Sequence, residues 1–227
     1  ARVGGQPASG YDTAGTRETF LPVPGVKESE PMPPIPIERS ALLVVDVQDS
    51  FQATPRWERR SNPRFEENVD RLVQAYRAAG LPVIFVLHTD PDPGFETTSP
   101  FFKLMDFLQP EPGDPVIVKT TRNAFTSTNL QELLRARGVE RLVVTGIQTE
   151  QCCETTTRLA ADLGYDVDFV TEATRTFPIT DPETGEVLST DEIVRRTEFV
   201  LRGRFARIAT VEGLAAELRG ATVARNG

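Results

Sequence analysis

The sequence predicts an α/β fold: a three-layer α/β/α sandwich around a six-stranded parallel sheet, of the Rossmann-like kind. Short apolar runs rich in β-branched residues alternate with amphipathic stretches of helical period over most of the chain. Those runs are nearly continuous in polarity, as in strands buried on both faces, which calls for helices on either side and right-handed crossovers.

Residues 1–38 come first and fit neither pattern. Pro22, Pro24, Pro31, Pro33, Pro34 and Pro36 interrupt every short apolar group, so this segment reads as an extended proline-rich arm preceding one domain over 39–227. Phe20, Leu21, Val23, Ile35 and Ile37 are its candidate docking residues. Strands are predicted at Ala41–Asp46, Val83–Leu87, Val116–Val118, Leu142–Thr145, Val167–Val170 and Ala206–Thr210. Helices are predicted at Phe65–Ala79, Asn129–Arg137, Cys152–Leu163 and Asp191–Arg202, each followed closely by Gly80, Gly138, Gly164 or Gly203 as a stop signal.

Composition narrows the function. With 39% hydrophobic residues in 227, the chain can bury a single sizeable core. A net charge of -8 argues against nucleic acid or anionic lipid as partner. No apolar run is long enough to span a membrane and no secretory pattern opens the sequence, so a cytoplasmic protein is expected. The two cysteines, Cys152 and Cys153, are adjacent and unsuited to stapling the fold. His88 is the single histidine, and no CxxC or HxxxH spacing occurs, so no metal is expected. Neither GxGxxG nor GxxxxGK[ST] is present, and no cofactor is expected.

In parallel sheets ligands gather at the carboxyl ends of the strands. Read in order, those ends carry Asp46 and Gln48, then His88 and Asp90, then Lys119 and Arg122, then Gly146–Cys153. Thr149 is placed to cap a helix whose first turn holds Cys152, where free N–H groups and the helix dipole favour a thiolate. Such a thiolate attacks carbonyl carbons, and backbone N–H groups of the same turn are placed to hold the oxyanion. Cys152 fits a small core residue equally well, as Cys153 does more strongly. Asp46 fits a turn or cap, and Lys119 a snorkelling rim residue, unless the two meet. His88 fits a packed strand-end residue better than a substrate contact.

Three segments in order, ALLVVDVQDSF at Ala41–Phe51, VKTTRNAFTSTNL at Val118–Leu130 and VVTGIQTEQCCETTTRLAADLGYDV at Val143–Val167, resemble the isochorismatase-like cysteine hydrolases. That family includes nicotinamidases, N-carbamoylsarcosine amidases, ureidoacrylate and biuret amidohydrolases, and isochorismatase. The resemblance spans Ser40 to about Thr210. It implies Cys152 as nucleophile, Asp46 as general base, Lys119 as third catalytic group, a cis peptide at Ile147-Gln148, and an oxyanion hole from the N–H groups of Gln148 and Cys152. It also implies a homo-oligomer, dimer or tetramer. Phe51, Trp57, Arg122, Phe101 and Gln148 are the expected substrate contacts.

The departures are informative. Nicotinamidases of the family bind a metal through an aspartate and histidines after the first strand, where this sequence has Trp57-Glu58-Arg59-Arg60. Isochorismatases proper cleave a vinyl ether without needing the cysteine. The expectation is therefore a metal-independent hydrolase of a small linear amide, ureido or carbamoyl compound, with vinyl ether hydrolysis or an idle ligand-binding scaffold as the alternatives.

Overall fold

A computed structural model describes residues 35–226, with side chains through Val223. The first 34 residues, and with them most of the expected arm including Phe20, Leu21 and Val23, lie outside the described residues. Of its candidate docking residues, Ile37 begins a short 3-10 turn, Ile37–Arg39, and is buried in the core.

Six strands form one parallel sheet: β1 (Ser40–Val45), β2 (Val83–His88), β3 (Val116–Lys119), β4 (Arg141–Ile147), β5 (Asp166–Arg175) and a last strand at Arg207–Ile208. A small antiparallel hairpin, β6 (Ile179–Thr180) with β7 (Val187–Leu188), precedes that last strand, β8. The spatial order β3-β2-β1-β4-β5-β8 runs outward from β1 in one direction, then reverses through β4. The reversal lies between β1 and β4, whose residues pair in register from Ser40↔Arg141 to Val45↔Gly146. A crevice opens at such a switch point, beyond the carboxyl ends of the two strands.

Side-chain alternation along the strands sends residues into two separate cores. Leu42, Val44, Phe85 and Val143 meet α1 (Phe65–Ala78) and α5 (Val211–Asn226) on one face. Leu43, Val45, Val86 and Val144 meet α2 (Leu130–Ala136), α3 (Glu154–Asp162) and residues at the end of α4 (Thr190–Leu201) on the other. Ser189 caps α4 through a reciprocal capping box with Glu192. Helix α5 escaped the pattern reading, because small residues such as Ala215 and Ala221 share its buried positions with Val211, Leu214 and Leu218.

At the amino ends of the strands, Arg141 ties the layers together. Its Nε donates to Asp168 Oδ2 at 2.6 Å, and its Nη1 donates to Glu217 Oε1 on α5 at 2.6 Å and to the carbonyl of Ile35 at 3.2 Å. The functional end lies at the opposite edge.

Candidate active site

The site is assembled by four strand ends. Asp46 ends β1 in a left-handed conformation, φ 53°, which is costly for a residue with a Cβ and occurs where surrounding structure enforces it. Its N–H is held by the carbonyl of Val86 at 2.8 Å. Lys119 ends β3 on the same face as Ile117, so its side chain enters the second core and is wholly buried. Between β3 and β1 lies one intervening strand, roughly 10 Å of sheet. Only a long side chain crosses that distance, and Lys119 Nζ reaches Asp46 Oδ2 at 2.8 Å.

After β4 the chain turns sharply. Gly146 has φ 128°, and a Cβ there would lie 1.8 Å from the carbonyl oxygen of Val45, so only glycine lets the ends of β1 and β4 approach. The Ile147-Gln148 peptide is cis. Residues Thr149–Cys153 then form a π-helical turn, with the Cys153 N–H bonded to the Gln148 carbonyl at 3.2 Å, before α3 begins at Glu154. This corrects the expected helix start at Cys152 and the capping role of Thr149. The Thr149 hydroxyl instead donates to Thr174 Oγ1 of β5 at 2.9 Å, and the residue preceding the turn is Gln148. Tertiary bonding to β5 wins over local capping. The wide turn delivers Cys152 Sγ to 3.4 Å from Lys119 Nζ.

Asp46, Lys119 and Cys152 are 0%, 0% and 4% exposed, so their charges interact with little water between them. Burial raises the Asp46 carboxyl above its ordinary range, against the lowering pull of Lys119. Burial, reinforced by the neighbouring Asp46 charge, pushes the Cys152 thiol up to about 12 despite Lys119. At rest the cysteine is a thiol. Its deprotonation needs a specific acceptor, and the Asp46 carboxylate is hydrogen-bonded to the Cys152 side chain. Cys153 is fully buried in the second core, and burial raises its thiol well above the ordinary value.

A narrow cavity of about 70 Å³ reaches Cys152. Of the expected contacts, Phe51, Arg122 and Gln148 line it. Trp57 and Phe101 do not. Trp57 packs on Phe177 at 6.2 Å and under the guanidinium of Arg175 at 4.9 Å, because Arg175 is buried and drawn to Glu66 at 2.6 Å. Phe101 is 44% exposed, and its carbonyl, not its ring, serves the site's frame by accepting from Ser50 Oγ at 3.1 Å.

Four further residues, Arg56, Asp92, Phe95 and Gln151, line the cavity and were not expected as substrate contacts. Gln151, next to Cys152, carried a positional signal; the others sit on irregular loops that have no period. His88 and Asp90 complete the wall, with His88 Nε2 at 2.9 Å from both Asp90 Oδ2 and Arg122 Nη1. Burial, then the Lys119 charge, depress the His88 pKa. Gln48 positions that wall by accepting from the His88 N–H at 2.7 Å and donating to its carbonyl at 2.9 Å. Among the described residues no group of three or more His, Cys, Asp or Glu is placed to hold a metal ion, and the turn Pro55–Arg59 carries Arg56 and Arg59 and no histidine. Among them, too, no helix is long and apolar enough to cross a membrane.

Comparison with known proteins points to one family. The chain is 34% identical over 146 residues to an uncharacterised isochorismatase-family protein, YrdC, of Bacillus subtilis, covering 63% of this chain and 78% of that one. It is 31% identical over 159 residues to the ureidoacrylate amidohydrolase RutB of Yersinia enterocolitica, covering 54% and 69%. Among solved structures, a putative isochorismatase-family hydrolase from Chromobacterium violaceum superposes with a TM-score of 0.75 at 32% identity, over 88% of this chain and all of that one. The isochorismatase domain model matches residues 40–197, from the first residue of β1 into α4, and on that match the chain belongs to the isochorismatase family of hydrolases.

Proposed function

We propose that this hydrolase cleaves the C–N bond of a small linear amide, ureido or carbamoyl compound through a thioester on Cys152, without a metal. The observation that carries the reading is a single ammonium, Lys119 Nζ, in contact with both Asp46 Oδ2 at 2.8 Å and Cys152 Sγ at 3.4 Å in a dry environment.

Moving the thiol proton to Asp46 shifts one negative charge from carboxylate to sulfur and leaves the total charge of the three groups unchanged. Lys119 compensates the charge at either position, so the transfer requires little reorganisation. The resulting thiolate attacks the carbonyl carbon. The backbone N–H groups of Gln148 and Cys152 hold the oxyanion, and Asp46 returns the proton to the departing nitrogen as the C–N bond breaks. Water then attacks the thioester, giving its proton to Asp46, and the released thiolate recovers that proton. Retention of the cysteine favours this route over vinyl ether hydrolysis, and the likeness to a ureidoacrylate amidohydrolase supports the bond class.

The test is ammonia release from a panel of small amides, carbamoyl amino acids, ureidoacrylate, biuret and nicotinamide, for the wild type, Cys152→Ala and Cys153→Ala. Turnover abolished in Cys152→Ala and kept in Cys153→Ala is the expected result. Turnover that survives Cys152→Ala refutes the thioester and favours acid-catalysed chemistry at Asp46.

A further inference from the structure

We infer that Arg56, with Arg122, clasps a carboxylate on the substrate, so that the preferred compound is an anionic amide or carbamoyl acid and not a neutral amide; this rests on Cys152 being the nucleophile. Both arginines line the cavity that reaches Cys152. Arg56 is the more telling of the two. Its guanidinium lies over the rings of Phe51 at 5.5 Å and Phe177 at 5.1 Å. Among the described residues no carboxylate comes within ion-pair distance of it, although most other arginines near the site are matched: Arg175 with Glu66 at 2.6 Å, and Arg122 with His88 at 2.9 Å and Asp90 at 3.7 Å.

A guanidinium stacked on aromatic faces keeps its N–H edge available, and that edge matches a carboxylate in a two-pronged geometry. The seat is rigid, because Phe51 and Phe177 are buried and stacked at 5.9 Å. The cavity's own acids do not satisfy Arg56. Asp90 lies 3.7 Å from Arg122 and accepts from the Asp92 N–H at 2.9 Å. Asp92 is exposed at the rim and raises the Arg56 pKa only from a distance, while burial lowers it. A substrate carboxylate would restore the missing partner and hold the adjoining carbonyl carbon over Cys152 Sγ.

Alkylation of Cys152 tests this without knowledge of the substrate. Iodoacetate carries a carboxylate and iodoacetamide does not, while both form the same S–C bond with loss of iodide. Labelling rates at Cys152 are measured by peptide mass spectrometry for the wild type, Arg56→Met, Arg56→Lys and Asp92→Asn. The iodoacetate-to-iodoacetamide rate ratio is expected to fall about ten- to hundredfold in Arg56→Met. Arg56→Lys should recover part of it, and Asp92→Asn should keep or raise it. An unchanged ratio in Arg56→Met, with Cys152 still labelled by both reagents, overturns the carboxylate clasp alone. Turnover that survives Cys152→Ala instead overturns the nucleophile reading and the inference built on it.

Discussion

Replacing Lys119 by methionine keeps the length of the buried side chain and removes its charge. Asp46 is then a carboxylate with no counter-ion in a site where it is 0% exposed. At 2.8 Å and an effective dielectric of about 20, the attraction lost is about 6 kcal/mol. Methionine avoids the desolvation of an ammonium, which offsets part of this, and losing one partner of a buried pair costs about 3–5 kcal/mol in practice. The loss depends on pH with a definite sign. Burial already raises the Asp46 pKa, and without the lowering effect of Lys119 it rises further. The native variant therefore takes up a proton at a pH where the unfolded chain has not, so its stability relative to the wild type recovers as pH falls through the raised pKa. Urea unfolding of the wild type and Lys119→Met between about pH 7 and about pH 5 measures the effect. Adding Asp46→Asn should recover much of the loss at neutral pH, since the remaining pair is uncharged. A deficit below about 1 kcal/mol, the range of exposed ion pairs, or one that does not change with pH, would falsify the account of a desolvated pair.

In the proposed mechanism Asp46 must be ionised to accept the thiol proton, and its pKa is raised, so the acid limb of kcat/KM should lie above the ordinary carboxylate pKa of 3.8, with activity lost as pH falls through it. A limb at or below the ordinary value excludes Asp46 as the base. Gly146→Ala places a methyl group 1.8 Å from the Val45 carbonyl oxygen at φ 128°, and a loss of about 4–5 kcal/mol or more is expected; a melting temperature within a few degrees of wild type contradicts the close approach of β1 and β4. Glu154 is 4% exposed and binds Arg158 at 2.9 Å, Arg196, and Thr197 at 3.2 Å. Glu154→Gln should cost about 1–3 kcal/mol in chemical unfolding, by weakening the junction between α3 and α4, and a neutral result shows that junction to be held by packing alone.

The layered α/β architecture was legible in the sequence because it depends on local rules, whereas Asp46, Lys119 and Cys152 were singled out among the strand-end residues by the resemblance to a family. Apolar runs with no polar alternation can only be strands covered on both faces, and their carboxyl ends therefore locate Asp46, Lys119 and Cys152 before any tertiary contact is known. What no local rule supplies is distance. That Lys119 crosses β2 to meet Asp46, and that a π-helical turn rather than a capped α-helix presents Cys152, follow from the strand order and from the bond between Thr149 and Thr174. The cavity walls depend on tertiary structure most of all. Arg56 and Trp57 are adjacent on a short irregular turn, yet one enters the cavity and the other is turned away beneath Arg175, whose position is set by β5 and by Glu66 on α1. Loop residues have no period to read, and their directions are settled by partners far along the chain, which only folding brings within reach.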